Sequence, residues 1–512
     1  MGNTQADNKR IAKNTIFLYF RMLLIMGISF YTTRVVLSYL GVNDYGIYNV
    51  VGGVVSMFAV VSSALTGAIS RFLTFEIGKG DQRVINETFS AAVTILILVS
   101  VVFLVIMETV GVWFLNSKMN IAAERLSAAN WVLQCSIITF IINLISIPYN
   151  ALIIAYERMQ AFAYISLLEA FEKLAVAFII SMPLFDSLKV YAVLLSLVAL
   201  ITRLTYGSYV ARNFKELKVN LELNIKKFKD FLTFTGWTAI GGSANILNSQ
   251  GVNILLNIFW GTAVNAARGV AVQVNSAITS FSGNFMMSVN PQIIKSYAQE
   301  EFERTEFLVF QSARFASYLM LILSIPVIIE TQPILIFWLK DVPQETIIFI
   351  RIVLIQGIVD SMCLSLQTLN QASGKVKIYQ IVAGGILLIN FPLSYLFLRL
   401  GFFPQCVYYV ALGVSVAGVF GRIFSLKYLI DFDIKKFLTS VFLRGLLVLA
   451  ISISLPFIII YFQETHQEFS LIAMGNILGS FLWAILVVYL IGLSSHERKW
   501  LNGKIQQFIS KI

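Results

Sequence analysis

Long apolar stretches recur through the whole chain, and each is long enough to cross a lipid bilayer as a helix of roughly 20 residues. Of the 512 residues, 58% are hydrophobic and only 13% are charged, whereas a soluble domain carries about twice that charged share. A transmembrane β-barrel would instead show short alternating segments. The sequence therefore predicts an all-α membrane protein with 14 transmembrane helices. The predicted spans are 14–37, 46–66, 88–112, 129–150, 161–184, 190–210, 229–259, 265–290, 308–331, 346–369, 376–399, 403–426, 439–461 and 470–492.

Lysine and arginine are concentrated in every second loop between these spans. The amino terminus and the carboxyl-terminal tail are both basic, and the longest basic loop is 211–230. Because cytoplasmic loops carry the excess of positive residues, we expect both termini to be cytoplasmic. This bias accounts for the net charge of +11, so no nucleic-acid partner is needed to explain it. The first apolar run has no small-residue cleavage pattern, and we interpret it as a retained helix.

The chain also repeats itself at an offset of about 220 residues. Gly41 follows the first span as Gly261 follows the seventh, and Asn150 ends the fourth span as Asn370 ends the tenth. Both copies begin at the cytoplasmic side, which predicts two parallel six-helix repeats. We therefore expect lobes at 1–215 and 216–430, followed at 431–512 by two additional transmembrane helices and a cytoplasmic tail.

Polar residues form two stripes at helical spacing within 231–290. In hydrocarbon such side chains are costly unless they face protein or water. We expect the stripes to line a polar internal cavity; the alternative is close helix–helix packing, for which Gly, Ser, Thr and Asn are also used. The stripes contain Thr235, Thr238, Gly242, Asn245, Ser249 and Asn253 in the first helix, and Gln273, Ser276, Ser280, Asn284 and Ser288 in the second.

Several charged residues fall at membrane depth, where charge is expensive and marks candidate functional sites. Arginine outnumbers acid, and guanidinium groups bind phosphate or carboxylate oxygens in pairs, so an anionic substrate is favoured. Glu169 and Lys173 are spaced to pair at i,i+4, and some arginines near span ends can instead reach the interface. The cationic candidates for the cavity are Arg21, Arg34, Lys173, Arg203 and Arg268, and the candidate ion-coupling carboxylates are Glu169 and Asp360.

The motifs of several other protein classes are missing from the sequence. There is no G-x-x-x-x-G-K-[ST] motif for nucleotide hydrolysis, and no His or Cys cluster with metal-ligand spacing. The predicted loops on the outer side are too short to hold a glycan polymerase or ligase site. We therefore expect a transporter without a cofactor or a metal, and not an enzyme.

The junction between the first two spans reads Arg34-Val-Val-Leu-Ser-Tyr-Leu-Gly41-Val-Asn-Asp-Tyr45-Gly46-Ile-Tyr48. It resembles the corresponding junction of polysaccharide flippases of the O-antigen type, in the multidrug/oligosaccharidyl-lipid/polysaccharide exporter (MOP) superfamily, and Ser70-Arg71-Phe72 also fits. The resemblance implies two six-helix lobes that form a V-shaped cavity in the bacterial inner membrane. It implies alternating-access transfer of an undecaprenyl-diphosphate-linked oligosaccharide from the cytoplasmic to the periplasmic leaflet. Arg21, Arg34 and Arg268 match the family's cationic cavity residues by position.

The resemblance also defines the partners and the main alternative. The lipid-linked oligosaccharide and membrane lipids are the implied partners, and a polysaccharide polymerase is a further candidate. The alternative is an ion-coupled multidrug or small-molecule antiporter of the same fold. Drug-exporting relatives typically have twelve helices and an acidic residue in the first one, whereas this first span contains arginines and no carboxylate.

Overall fold

The computed structural model of the protein is helical along nearly all of its described length. Since a membrane offers no water to backbone N–H and C=O groups, helices that satisfy their own hydrogen bonds are the expected structure for these apolar runs. The described residues are 2–79, 81–156, 158–182, 186–217, 247–339, 341–373, 376–430, 432–462, 470–495, 497–499 and 502.

The described residues up to 217 form six helices. Two of them begin with an aspartate that caps free backbone N–H groups. At the start of the helix that begins at Gln82, Asp81 accepts hydrogen bonds from the N–H groups of Arg83 and Val84. At the start of the helix that begins at Ser187, Asp186 accepts hydrogen bonds from the N–H groups of Leu188 and Lys189. The helices are α1 (Gly2–Ser56), α2 (Ala59–Lys79), α3 (Gln82–Lys118), α4 (Ala123–Ala155), α5 (Met159–Ile179) and α6 (Ser187–Asn213).

The described part of the second half contains nine helices. They are α7 (Val252–Trp260), α8 (Thr262–Ala298), α9 (Phe302–Ile329), α10 (Thr331–Trp338), α11 (Thr346–Ser373), α12 (Val376–Arg399), α13 (Cys406–Ile430), α14 (Arg444–Phe462) and α15 (Leu471–Gly492). A short turn at Ile434–Phe437 and a π-helical turn lead into α14.

The predicted all-α membrane fold is confirmed. Within the described residues, ten helical stretches are long and apolar enough to cross a membrane, and each predicted span overlaps one of the helices above. The number of 14 spans stays a prediction, because half of the span at 229–259 lies outside the described residues.

Two glycines 220 residues apart have the same unusual backbone conformation. Gly41 interrupts α1 at φ 75° and ψ 171°, and Gly261 separates α7 from α8 at φ 78° and ψ −171°. A positive φ is costly for residues with a Cβ, so glycine is the residue that makes both corners without strain. The equal geometry at the predicted offset is what two copies of one helical unit require.

The chain packs as two compact units. The first comprises residues up to Ala266 together with Trp338–Asp341, and the second comprises the remainder. The packing boundary thus lies later than the predicted lobe boundary at 215/216, because α7 packs on α1. The additional helices α14 and α15 belong to the second unit. The predicted lobes describe the sequence repeat and stay a prediction.

Each unit has its own apolar core. In the first unit, Leu65, Phe89 and Leu152 are fully buried where α2, α3 and α4 meet. In the second unit, α9 is the most deeply buried of the ten candidate spans, and it packs against α11, α14 and α15. These cores position the helices that carry the polar side chains of the candidate site.

Candidate substrate cavity

A cavity of about 250 Å³ lies inside the first unit, between α1, α4, α5 and α6. Its wall mixes hydroxyl, amide and charged groups with two aromatic rings. Polar groups at this depth are expensive unless they are paired or face a ligand or water. The lining includes Tyr48, Gly52 and Ser56 of α1, Ser136, Thr139, Phe140 and Asn143 of α4, Glu169 and Lys173 of α5, and Thr202 of α6.

The only charged groups among the described lining residues are those of Glu169 and Lys173. The Nζ atom of Lys173 lies 2.7 Å from Oε1 of Glu169, and the two side chains are 48% and 37% exposed, respectively. The predicted i,i+4 pair is therefore present, and both members face the cavity. Because the pair has no net charge, this cavity is polar without being cationic.

The α4 wall offers hydrogen-bonding groups that the protein itself leaves unused. The hydroxyl of Thr139 lies 3.0 Å from that of Ser196, which also donates to the Cys135 carbonyl at 3.0 Å. In the described part of the chain, Ser136 and Asn143 have no side-chain hydrogen-bond partner. Both residues escaped the sequence prediction, although the spacing of Ser136, Thr139 and Asn143 follows one helical face as the predicted stripes do.

Of the other predicted cations in this unit, Arg203 is packed rather than free. Its guanidinium carbon lies 3.7 Å from the centre of the Tyr149 ring, a cation–π contact. Arg34 is half-buried in α1, and the described residues provide it with no ion-pair or hydrogen-bond partner. Arg21 lies in α1, but its side chain is outside the described part.

The first predicted polar stripe turns out to pack helices together at Asn253. This side chain is only 6% exposed. Its Nδ2 donates to the Asn49 carbonyl at 3.3 Å, and its Oδ1 accepts from Nδ2 of Asn265 at 2.8 Å. These contacts agree with the packing alternative for Asn253, and its place in a substrate cavity stays a prediction. Asn245 lies outside the described residues, and Ser249 is exposed.

The remaining predicted residues lie in the second unit. Arg268, Gln273 and Asn284 are partly buried along α8. Asp360 of α11 accepts a hydrogen bond from Gln356 at 3.4 Å and interacts with the charge of Arg422. Glu169 and Asp360 thus belong to different units. No group of three or more His, Cys, Asp or Glu side chains that could hold a metal ion occurs among the described residues.

An ion-pair cluster at one end of the first unit was not predicted. Arg125 at the start of α4 binds Asp44 through two hydrogen bonds and Asp186 through two more, at 2.8 and 3.0 Å. Burial alone would raise the pKa of Asp186, but Arg125 and the backbone N–H groups of Lys189 and Leu188 hold that pKa below its usual value. The cluster ties α1, α4 and α6 together beside the cavity.

Bilayer-length apolar helices that enclose a polar cavity are the architecture of a multi-pass membrane protein with an internal binding site. The sequence profile of the family described as "Polysaccharide biosynthesis protein" matches residues 11–297, and the MatE profile matches residues 243–396. The chain belongs to the polysaccharide biosynthesis protein family, a flippase family of the MOP superfamily. Among curated proteins, no relative matches the chain in sequence.

Solved structures share this fold at low sequence identity. The inward closed conformation of the lipid II flippase MurJ has a TM-score of 0.65 at 15% identity and covers 93% of this chain and 99% of its own. An inward-facing multidrug resistance MATE family transporter of the MOP superfamily has a TM-score of 0.67 at 13% identity and covers 81% and 98%. A MOP superfamily transporter from Pyrococcus furiosus has a TM-score of 0.58 at 14% identity and covers 81% and 95%.

Proposed function

We propose that the protein is a flippase that moves an undecaprenyl-diphosphate-linked oligosaccharide from the cytoplasmic to the periplasmic leaflet of a bacterial inner membrane by alternating access. The observation that carries the proposal is the polar cavity of the first unit, whose only charged pair is self-neutralising, within a chain of the polysaccharide biosynthesis protein family. Hydroxyl and amide groups at membrane depth suit a sugar, which exchanges its hydrogen bonds with water for hydrogen bonds with the protein.

An apolar groove in the second unit supports a lipid-linked substrate. It has a volume of about 380 Å³ and is bounded by Leu455 and Pro456 of α14 and by Gly479, Leu482 and Leu486 of α15. Leu482 is 63% exposed and Leu486 is 44% exposed, so the groove opens outward to where lipid chains lie. An isoprenoid tail fits such a surface because burying its apolar area needs no polar partner.

The second candidate is an ion-coupled multidrug antiporter, which the MatE match over residues 243–396 favours. The two folds match this chain about equally well, with TM-scores of 0.65 for the flippase and 0.67 for the multidrug transporter, so it is the charges of the cavity that favour the flippase. A drug cation would meet a cavity carboxylate, Glu169, that Lys173 already neutralises.

Reconstituted liposomes distinguish the two candidates. The full chain should move a fluorescent undecaprenyl-diphosphate-linked oligosaccharide across the bilayer, and it should not accelerate ion-driven efflux of ethidium. The Arg34→Ala variant should slow lipid transfer by roughly tenfold, because a charge-assisted hydrogen bond to an anionic head group is lost. Ethidium efflux without lipid transfer would establish the antiporter. A normal rate in Arg34→Ala would remove this arginine from the site.

A further inference from the structure

We infer that the cavity between α1, α4, α5 and α6 binds one uncharged pyranose ring of the substrate and leaves the diphosphate to other residues. This inference rests on the proposed function. It differs from the expectation that cations of the first half gather around the phosphates.

The volume of the cavity fits one sugar ring. The cavity measures about 250 Å³, whereas pockets that enclose drug-sized ligands span roughly 300–1,000 Å³. One sugar ring fills such a space, and a complete oligosaccharide does not fit in it.

The charges that line the cavity do not suit a diphosphate. A diphosphate leaves water only where several unpaired cations receive it. Lys173 is the only cation among the described lining residues, and Glu169 holds it at 2.7 Å. The pair offers an acceptor and a donor side by side, which matches neighbouring sugar hydroxyls that each donate and accept.

The uncharged polar and aromatic side chains of the cavity are arranged as in a small-ligand site. Ser136 and Asn143 face the cavity from α4 without a side-chain partner among the described residues, so binding a hydroxyl breaks no existing bond. The rings of Phe140 and Tyr48 provide apolar surface nearby. A small number of polar groups on an apolar wall is the usual composition of a small-ligand site.

Two glycines of α1 provide a matched pair of variants. A Cβ added at Gly52 or at Gly27 meets no atom within 4 Å, so neither position is blocked at the first atom of a new side chain. Gly52 lines the cavity, whereas Gly27 lies elsewhere on α1. Gly52→Leu therefore fills the cavity, and Gly27→Leu is its control.

The test uses the full chain in lipid nanodiscs and saturation-transfer NMR with the methyl glycosides of glucose, galactose, mannose and N-acetylglucosamine. At least one glycoside should receive saturation, and inorganic diphosphate at the same concentration should not displace it. Asn143→Leu should weaken binding by about five- to tenfold, as expected for one or two lost contacts. Gly52→Leu should weaken it by about tenfold or more because leucine occupies the cavity, and Gly27→Leu should bind as the unmodified chain does. Absence of binding to every glycoside, displacement by diphosphate, or unchanged binding by Gly52→Leu would overturn the inference.

The liposome assay separates this inference from the proposed function. A chain that transfers lipid-linked oligosaccharide equally well with Gly52→Leu keeps the flippase function and loses the pyranose site. A chain that binds a glycoside in the cavity but transfers no lipid-linked sugar keeps the site and loses the flippase function.

Discussion

Asn257 holds the backbone of Asn120 from both sides. Its Oδ1 accepts the Asn120 N–H at 2.9 Å, and its Nδ2 donates to the Asn120 carbonyl at 3.4 Å. Asn257 lies on α7 and is completely buried, whereas Asn120 lies in the connection from α3 to α4. A helix of the predicted second repeat therefore fixes a connection of the predicted first repeat within one compact unit.

We expect Asn257→Ala to destabilise the protein by about 1–3 kcal/mol, since it removes two hydrogen bonds from a buried site. Thermal unfolding in detergent measures the change. The control is Asn116→Ala, because Asn116 is exposed and pairs with Asn130 near the same end of α3. Equal stability of the two variants would show that the Asn257 contact contributes little.

A second contact between the repeats involves Gly46 of α1. A Cβ at Gly46 would lie 1.9 Å from the carbonyl oxygen of Thr262, at the first residue of α8. Backbone atoms cannot move aside as a flexible side chain does, so Gly46→Ala forces the two helices apart. We expect a loss of about 1–3 kcal/mol or more, measured as a lower unfolding temperature. Gly27→Ala, where the added Cβ meets nothing within 4 Å, should be at least as stable as the unmodified chain.

The sequence predicted those features that depend on spacing within one helix. The Glu169–Lys173 pair follows from a separation of four residues on one helix. The similar breaks at Gly41 and Gly261 follow in a different way, from the offset of 220 residues between the predicted repeats. Features that depend on a neighbouring helix were not predictable in this way. The stripe through Asn253 marks a polar face, but only the position of Asn49 across from it distinguishes packing from a cavity.

The polar cavity also depends on how neighbouring helices pack. Its wall combines residues of four helices, so no single stretch of sequence contains it. Ser136 and Asn143 lack charge, which is why a search for buried charges passes over them. The partner of Arg203 is likewise a ring on another helix.

Arg203 and Tyr149 should be energetically coupled. The guanidinium carbon lies 3.7 Å from the ring centre, within the range of a cation–π interaction worth about 0.5–2 kcal/mol. A double-mutant cycle with Arg203→Met and Tyr149→Leu, followed by thermal unfolding, isolates this coupling from the effect of either substitution alone. Additive losses would mean that the contact is incidental and would return Arg203 to the set of candidate substrate ligands.

The segment after α15 contains a buried carboxylate, that of Glu497, whose contribution to stability depends on pH. Glu497 is 9% exposed and pairs with the buried Arg314 of α9 at 2.7 Å. Burial alone would raise the pKa of Glu497, but the backbone N–H of Ser494 and the charge of Arg314 hold it below its usual value. A carboxyl whose pKa is lower in the folded state contributes stability that is fully present above the unfolded value, about 4.3 for glutamate, and is lost as the pH falls through the folded value.

We therefore expect the unfolding temperature of Glu497→Gln to lie below that of the unmodified chain at pH 7. The difference should shrink as the pH falls from about 4.3 through the lower folded pKa, because Glu497 is protonated first in the unfolded chain and then, at lower pH, in the folded protein, where it loses its pairing with Arg314. Thermal unfolding of both proteins between pH 3 and pH 7 gives this difference directly and cancels the titration of other carboxylates. Glu303→Gln, at an exposed position in the first turn of the same helix as Arg314, should show no such pH-dependent difference. A gap between Glu497→Gln and the unmodified chain that stays constant with pH would mean that the ion pair does not hold the carboxyl-terminal segment against α9.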